Sequence, residues 1–245
     1  MNETIELLKS HRSIRKFKSD AIEQSLIDEL VRAGQAAATS SFLQACTVIQ
    51  VEDRDKRERL AACAGNQAYV ATAPAFLVFC ADMQRHRLCC EMHDADMQAG
   101  FTEQFITATA DCALFAQNVA VAAESFGLGI VYIGGLRNRI DEVAELLELP
   151  DLVYPVFGLC LGHPAQNPEI KPRLPLEVVL KKDRYDSSRD RELICDYDDQ
   201  VREYYRTRTG GTKEMSWSEQ ISGMLIKEAR PHMLAFLQRK GFLKR

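Results

Sequence analysis

The chain has no long hydrophobic run. No stretch approaches the ~20 successive apolar residues that a bilayer-crossing helix needs, and even residues 119–123 follow Asp111 and Gln117, so no membrane span is expected. The opening residues, Met1 to Glu6, are acidic and lack an apolar core, so no secretion signal is expected and a cytoplasmic location is. Basic excess is missing too. Thirty-one Lys and Arg face 35 Asp and Glu, for a net charge of −4, which argues against wholesale nucleic-acid binding. There is no internal repeat and no low-complexity tract. The dinucleotide fingerprint is absent as well: Gly134-Gly135-Leu136-Arg137-Asn138 lacks the third glycine and no strand-first βαβ unit surrounds it, which excludes a Rossmann dehydrogenase. No serine sits in a nucleophile elbow, and no Ser–His–Asp or Cys–His set can be paired.

What remains is an ordinary globular composition, 46% apolar and 27% charged over 245 residues, enough for a sizeable core. The eight cysteines are mostly scattered singly through apolar stretches, where a free thiol behaves as a small hydrophobe, so reduced thiols are expected. The patterning predicts helices over 4–9, from a Ser19 or Asp20 cap to about 38, 54–64 and 101–126, with the last apolar nearly all round and so buried in a core or a subunit interface. Strands are predicted at 46–51, 75–81, 130–133 and 153–161. Residues 84–100 break the pattern. Pro155, Pro164, Pro168, Pro172 and Pro175 mark 162–176 as a fixed loop. Beyond it, 191–205, 217–227 and 232–240 are helix candidates in a polar arm with too few apolar residues to fold alone. Alternation of helices and strands by itself favours a parallel sheet.

His11-Arg12-Ser13-Ile14-Arg15-Lys16-Phe17 gathers cations and a hydroxyl ahead of a helix, which suits a bound phosphate or, more plainly, a solvated basic turn. Together with Thr39-Ser40-Ser41-Phe42-Leu43-Gln44, Val131 to Asn138, Phe157 to Gly162 and Lys171-Pro172-Arg173-Leu174-Pro175, it resembles the nitroreductase/flavin reductase family. The motifs follow the family order, from about Ile5 to the C-terminus, and are most similar to its NADPH-dependent, oxygen-insensitive nitroreductase and flavin reductase P branch.

The resemblance implies an α+β fold with a mainly antiparallel sheet enclosed by helices. A core at 1–180 would be followed by an arm at 181–245 that wraps the partner of a homodimer. It further implies FMN held by His11, Arg12, Ser13, Lys171 and Arg173 at the phosphate, with Arg15 at the pyrimidine edge, where negative charge gathers on reduction. Thr39, Ser40, Ser41, Gln44 and Gln67 would line the ribityl chain and ring, and Tyr132, Ile133, Gly134 and Gly135 would pass beneath the flavin. Relatives often have serine where this chain has Thr39. Arg208 and Lys213 would take the extra phosphate of NADPH from a mobile basic loop, and Phe42 and Arg230 would face the substrate, although Arg230 also reads as a helix-terminal ion pair.

His86, Cys89, Cys90, His93, Asp94 and Asp96 form the best metal-like cluster. No second ligand pair at finger spacing accompanies it, so a polar loop without metal is expected. The function implied is two-electron, ping-pong reduction of nitroaromatics, quinones or free flavin by NADPH, with the flavin rather than a side chain carrying the chemistry. An FMN-binding module or redox sensor without turnover is the alternative.

Overall fold

The computed structural model describes residues 2–245; Met1, the first residue of the acidic N-terminal stretch, lies outside them. The described residues form two compact units. The first runs to Asn167 and resumes over Arg230–Arg245; the second is Pro168–Ala229. The packing therefore does not divide at 180/181. The terminal segment, expected to belong to the arm, packs in the first unit because its aromatic residues find partners there. Phe242 stands edge-on to Tyr154 at 5.1 Å and to Phe105 at 6.5 Å, and Phe236 and Leu237 are buried in the same core.

The first unit contains α1 (Glu3–Lys9), α2 (Gln24–Gln35), β1 (Cys46–Gln50), α3 (Arg54–Cys63), α4 (Tyr69–Thr72), β2 (Ala75–Asp82), α5 (Gln84–Glu91) and α6 (Thr102–Ser125). These are followed by β3 (Gly129–Ile133), a 3-10 turn (Gly134–Arg139), α7 (Ile140–Leu146) and β4 (Val153–Gly162). The second holds α8 (Leu176–Val179), α9 (Asp190–Thr209) and α10 (Trp217–Leu225), and α11 (Met233–Arg239) returns to the first.

The strands form one sheet in the order β1-β2-β4-β3, and every pair is antiparallel. This settles the fold as α+β, as the resemblance implied and against the parallel sheet that alternation favoured. The two central strands are buried along almost their whole length, so they read as unbroken apolar runs and hide the period-two signature of an antiparallel strand. Pro155 lies in the central β4, where a missing N–H should break the ladder. The register slips at that place, between the pairs Phe79–Phe157 and Cys80–Pro155, and the guanidinium of Arg137 donates to the carbonyl of the intervening Val156.

Gly158 of β4 has no side chain because the ring of Phe76, fully buried on β2, occupies that space: a Cβ would stand 2.6 Å from two ring carbons. Gly158→Ala should therefore destabilise the protein by roughly 1–3 kcal/mol through overpacking, read as a lower denaturation midpoint at unchanged m-value. An unchanged midpoint would show that Phe76 moves aside freely.

Helix α6 corrects the expectation of no membrane-length segment. It spans 24 residues with a mean hydropathy of 1.3 over its most apolar window, long and apolar enough to cross a bilayer by length and composition. It lies in the core of this unit instead, with Ala108, Cys112, Ala116, Val119, Ala120 and Ala123 fully buried. Its opposite face is not covered within the chain, leaving Ile106 and Leu114 about half exposed. All eight cysteines are free thiols.

Candidate functional site

The loop joining α2 to β1 carries the strain in this region. Ser41, Phe42 and Gln44 all take positive φ, at 47°, 59° and 57°, in the left-handed region that side chains disfavour. The loop is held from below by Asp111 of α6, whose side chain is almost wholly buried. Its Oδ1 accepts from the backbone N–H of Ser40 at 2.8 Å and its Oδ2 from that of Ala45 at 3.2 Å. Arg85 donates to the carbonyl of Gln44 at 3.0 Å, and Nε2 of His86 meets that of Leu43 at 2.7 Å. Residues 84–91 are thus a helix that clamps the loop, not the polar loop expected from sequence. Among the described residues, no group of three or more His, Cys, Asp or Glu is placed to hold a metal ion.

Thr39, Phe42 and Gln44 line a cavity of 710 Å³ together with Gly34, Cys46, Arg85, His86 and Phe115. Phe42 is 81% exposed, and the hydroxyl of Thr39 is buried without a hydrogen-bond partner. Thr39 with its unpartnered hydroxyl, the strained loop and the exposed ring of Phe42 thus border one cavity.

The basic N-terminal segment lies beside β3. Ile14 is buried and its N–H bonds to the carbonyl of Ile130 at 2.9 Å, Ser13 forms a bridge with Ile130, and the N–H of Lys18 reaches His163 at 2.8 Å. This fixes the backbone and leaves Arg15 exposed. Nδ1 of His11 meets Oε1 of Glu124 at 2.6 Å, and Arg12 shares with Glu124 a cleft of 150 Å³ that is also lined by Gly129, Pro164 and Gln166. Sequence reading missed Glu124, because nothing in the pattern of α6 marks a carboxylate that meets a residue 113 positions away.

At the end of β3 the chain turns through Gly134 and Gly135. A Cβ on Gly135 would stand 2.5 Å from the carbonyl oxygen of Ala64 and 2.7 Å from Nε2 of Gln67, so the glycine is required for the approach of this turn to the end of α3. There Gly65 and Asn66 are both left-handed, and Gln67 donates to Ala64 at 2.7 Å while accepting from the hydroxyl of Tyr69 at 2.5 Å. Tyr132 packs edge-on to Phe157 at 5.1 Å, and burial pushes its phenol pKa up. Arg230 sits in no helix and, among the described residues, in no ion pair. It has φ 58° and donates to Asn138 at 2.9 Å, next to His232, whose Nε2 meets the carbonyl of Arg137 at 2.9 Å.

In the second unit, Lys171 and Arg173 are fixed through their own segment and through α9. Arg173 donates to the Lys171 carbonyl at 2.6 Å, the ammonium of Lys171 donates to the hydroxyl of Tyr205 at 2.9 Å, and Tyr197 donates to the carbonyl of Pro172 at 2.9 Å. Helix α9 runs further than the 191–205 expected, to Thr209, and ends where Gly210 turns left-handed at φ 61°. Arg208 therefore stands in its last turn, not on a loop, and donates to Tyr204 at 3.0 Å. Lys213 lies beyond it with its ammonium 4.2 Å from the ring centre of Tyr205.

The structure thus brings together Thr39, Phe42 and Gln44 at one cavity, Gly135 and Gln67 at one turn, and Lys171, Lys213 and Tyr205 in the second unit. The cavity at Thr39 is not lined by Arg15, Gln67 or residues 132–135.

Comparison with known proteins adds the following. The family model described as "Nitroreductase family" matches residues 8–163, and "Nitroreductase family, C-terminal domain" matches 171–245. The chain is 47% identical to an NADPH-flavin oxidoreductase of Vibrio harveyi and 46% identical to an oxygen-insensitive NADPH nitroreductase of Salmonella typhimurium, each over 245 residues and the whole of both chains. It is also similar to the solved NADPH:FMN oxidoreductase from Vibrio harveyi complexed with NAD+, with a TM-score of 0.92 at 46% identity and full coverage of both chains.

Proposed function

The chain belongs to the nitroreductase family, and from that membership we propose an NADPH-dependent FMN oxidoreductase that reduces nitroaromatics, quinones or free flavin by two electrons. The family and the residues present agree on the cofactor. The buried, unpartnered hydroxyl of Thr39 calls for a polar ligand. Among the described residues, Lys171 and Arg173 carry charge with no carboxylate bound to either. The Thr39 hydroxyl is the observation that carries the reading, since a buried hydroxyl without a partner costs about 1–3 kcal/mol unless a ligand meets it.

Within the first unit, Thr39, Ser40, Ser41 and Gln44 are the candidates for the ribityl chain and ring, and Gln67, Tyr132, Ile133, Gly134 and Gly135 for the surface beneath the ring. His11, Arg12 and Ser13 are the candidates for the phosphate and Arg15 for the pyrimidine edge. Lys171 and Arg173 are assigned to the phosphate in the second unit, and Arg208 and Lys213 to NADPH. Phe42 and Arg230 are assigned to the substrate. FMN would supply hydride transfer from the nicotinamide to the acceptor. The side chains supply orientation, stacking and charge, and none is needed as an acid or base because water reaches an open slot.

The protein is further proposed to be a cytoplasmic homodimer. The half-exposed Ile106 and Leu114 on α6 offer an apolar face, and a second copy bringing its 39–44 loop to the 132–135 turn would unite the two groups of flavin candidates.

The test is the colour and turnover of the pure protein. It should be yellow, oxidise NADPH steadily with a nitroaromatic, a quinone or FMN, and give parallel initial-rate lines. Lys171→Ala should weaken FMN by about 1.5–3 kcal/mol, the range of a charge-assisted hydrogen bond. A colourless protein, or a yellow one without turnover, would discard the proposed activity.

A further inference from the structure

Tyr205, in the last turns of α9, is a residue that no sequence pattern marks out. It is 9% exposed, and its oxygen is the acceptor for the ammonium of Lys171 at 2.9 Å, while its proton goes to Oε1 of Gln220 at 3.0 Å. The Lys213 ammonium lies over its ring, 4.2 Å from the centre. Arg208 does the same with the adjacent Tyr204, donating to its hydroxyl and standing 5.8 Å from its ring centre. The ion pairs of this unit lie elsewhere, at Lys181–Asp190, Arg202–Asp199, Arg202–Glu219 and Arg206–Glu203. Among the described residues, Lys171, Arg208 and Lys213 have no carboxylate in pairing range.

That choice of partner has a chemical meaning. A carboxylate would order a lysine but cancel its charge. A phenol oxygen or an aromatic face orders it through a dipole or a quadrupole and leaves the positive charge available to an anion. Burial alone would raise the pKa of Tyr205. The hydrogen bond from Lys171 and the charges of Lys171, Lys213 and Arg208 outweigh burial and lower it, as a positive local field requires.

We propose that Tyr205 is a positioning residue for two anionic groups: its hydroxyl fixes Lys171 for the flavin phosphate, and its ring face fixes Lys213 for the extra phosphate of NADPH. The proposal rests on the assignment of those two cations given above. The Lys171 ammonium also stands 5.1 Å from the centre of the Tyr205 ring, so Tyr205→Phe tests the hydroxyl alone, and the ring's part in holding Lys213 is read from KM for NADPH.

The experiment compares Tyr205→Phe, Tyr205→Leu and Lys171→Ala holoenzymes with the parent. FMN release on dilution is followed by the recovery of flavin fluorescence, and KM is measured for NADPH and for NADH. Tyr205→Phe removes only the hydroxyl. It should raise the FMN dissociation constant roughly two- to tenfold, the cost of ordering one freed lysine, and leave KM for NADPH within about twofold. Tyr205→Leu removes the ring as well and should also raise KM for NADPH by roughly two- to tenfold, with KM for NADH unmoved. If Tyr205→Phe holds FMN as the parent does while Lys171→Ala releases it, the positioning role is wrong. Equal shifts of both KM values in Tyr205→Leu would reduce the ring to ordinary packing and overturn its half of the proposal. If Lys171→Ala itself keeps its flavin, the assignment of Lys171 fails and the proposal with it. Tyr205→Phe preserves the ring packing, so the hydroxyl arm stands even if Tyr205→Leu is insoluble.

Discussion

Gly135→Ala should leave a folded protein that no longer retains flavin. The added Cβ would stand 2.5 Å from the carbonyl oxygen of Ala64 and 3.1 Å from its carbon, distances that real side chains do not tolerate. The obstacle is backbone at the end of α3, so no rotamer change relieves it. Either the 134–139 turn backs away from α3 or the end of α3 is pushed out. In both cases Gln67, whose Nε2 lies 2.7 Å from the new methyl and which is bonded to Ala64, loses its position. Overpacking of this kind costs roughly 1–3 kcal/mol, equivalent to about a 5- to 150-fold loss when it falls on one binding site. The purified variant should be pale, with near-parental far-UV circular dichroism and little NADPH oxidation unless FMN is added in excess. A variant as yellow as the parent after extensive dialysis would show that the turn does not lie against the flavin.

Gly135 also shows where sequence is informative and where it is not. The pair Gly134-Gly135 was legible as a turn after a strand, and the family resemblance tied it to the flavin. Which atom the second glycine makes room for was not, since Ala64 lies some seventy positions earlier and their meeting depends on the sheet order. The elements themselves were legible where a period was strong. β2 and β4 stood out as apolar runs, and α6 as a long Ala-rich stretch. Strand direction was not legible, because burial on both faces erases alternation. Helix ends failed where capping was weak: α2 starts at Gln24 after Glu23, which makes no side-chain cap, and not at the hydroxyl or carboxylate of Ser19 or Asp20. The polar residues 84–91 read as a loop in sequence because a short helix bound to its neighbours through Arg85 and His86 shows no apolar stripe. At the site, the individual cations were readable one by one. Glu124 and Tyr205, which meet His11 and Lys171, were not, and neither was Asp111, which holds the backbone at Ser40 and Ala45, as each acts across tertiary distance.

Asp111→Ala should cost the enzyme most of its turnover by releasing the loop that it holds. Three residues between Ser40 and Ala45 occupy left-handed backbone without being glycine, each at about 1–2 kcal/mol, so the loop stores roughly 3–6 kcal/mol of strain. The carboxylate of Asp111 opposes that strain with a charge-assisted bond from each end of the loop, to the N–H of Ser40 and to that of Ala45, each worth about 1.5–3 kcal/mol. The two sums are of the same size, so removing the carboxylate leaves the strain unopposed except by the Arg85 and His86 contacts to the carbonyls of Gln44 and Leu43. The backbone should then relax towards extended conformations, carrying Thr39, Phe42 and Gln44 away from the cavity they line. A fall in kcat/KM of roughly tenfold or more is expected, together with new protease cleavage confined to 39–45. Asp111→Asn is the finer probe. Its amide keeps one oxygen to accept a backbone N–H but turns an NH2 towards the other, so it should fall between parent and alanine variant in both readouts. If Asp111→Ala resists proteolysis at this loop and turns over normally, the strained backbone is held by something other than its carboxylate anchor.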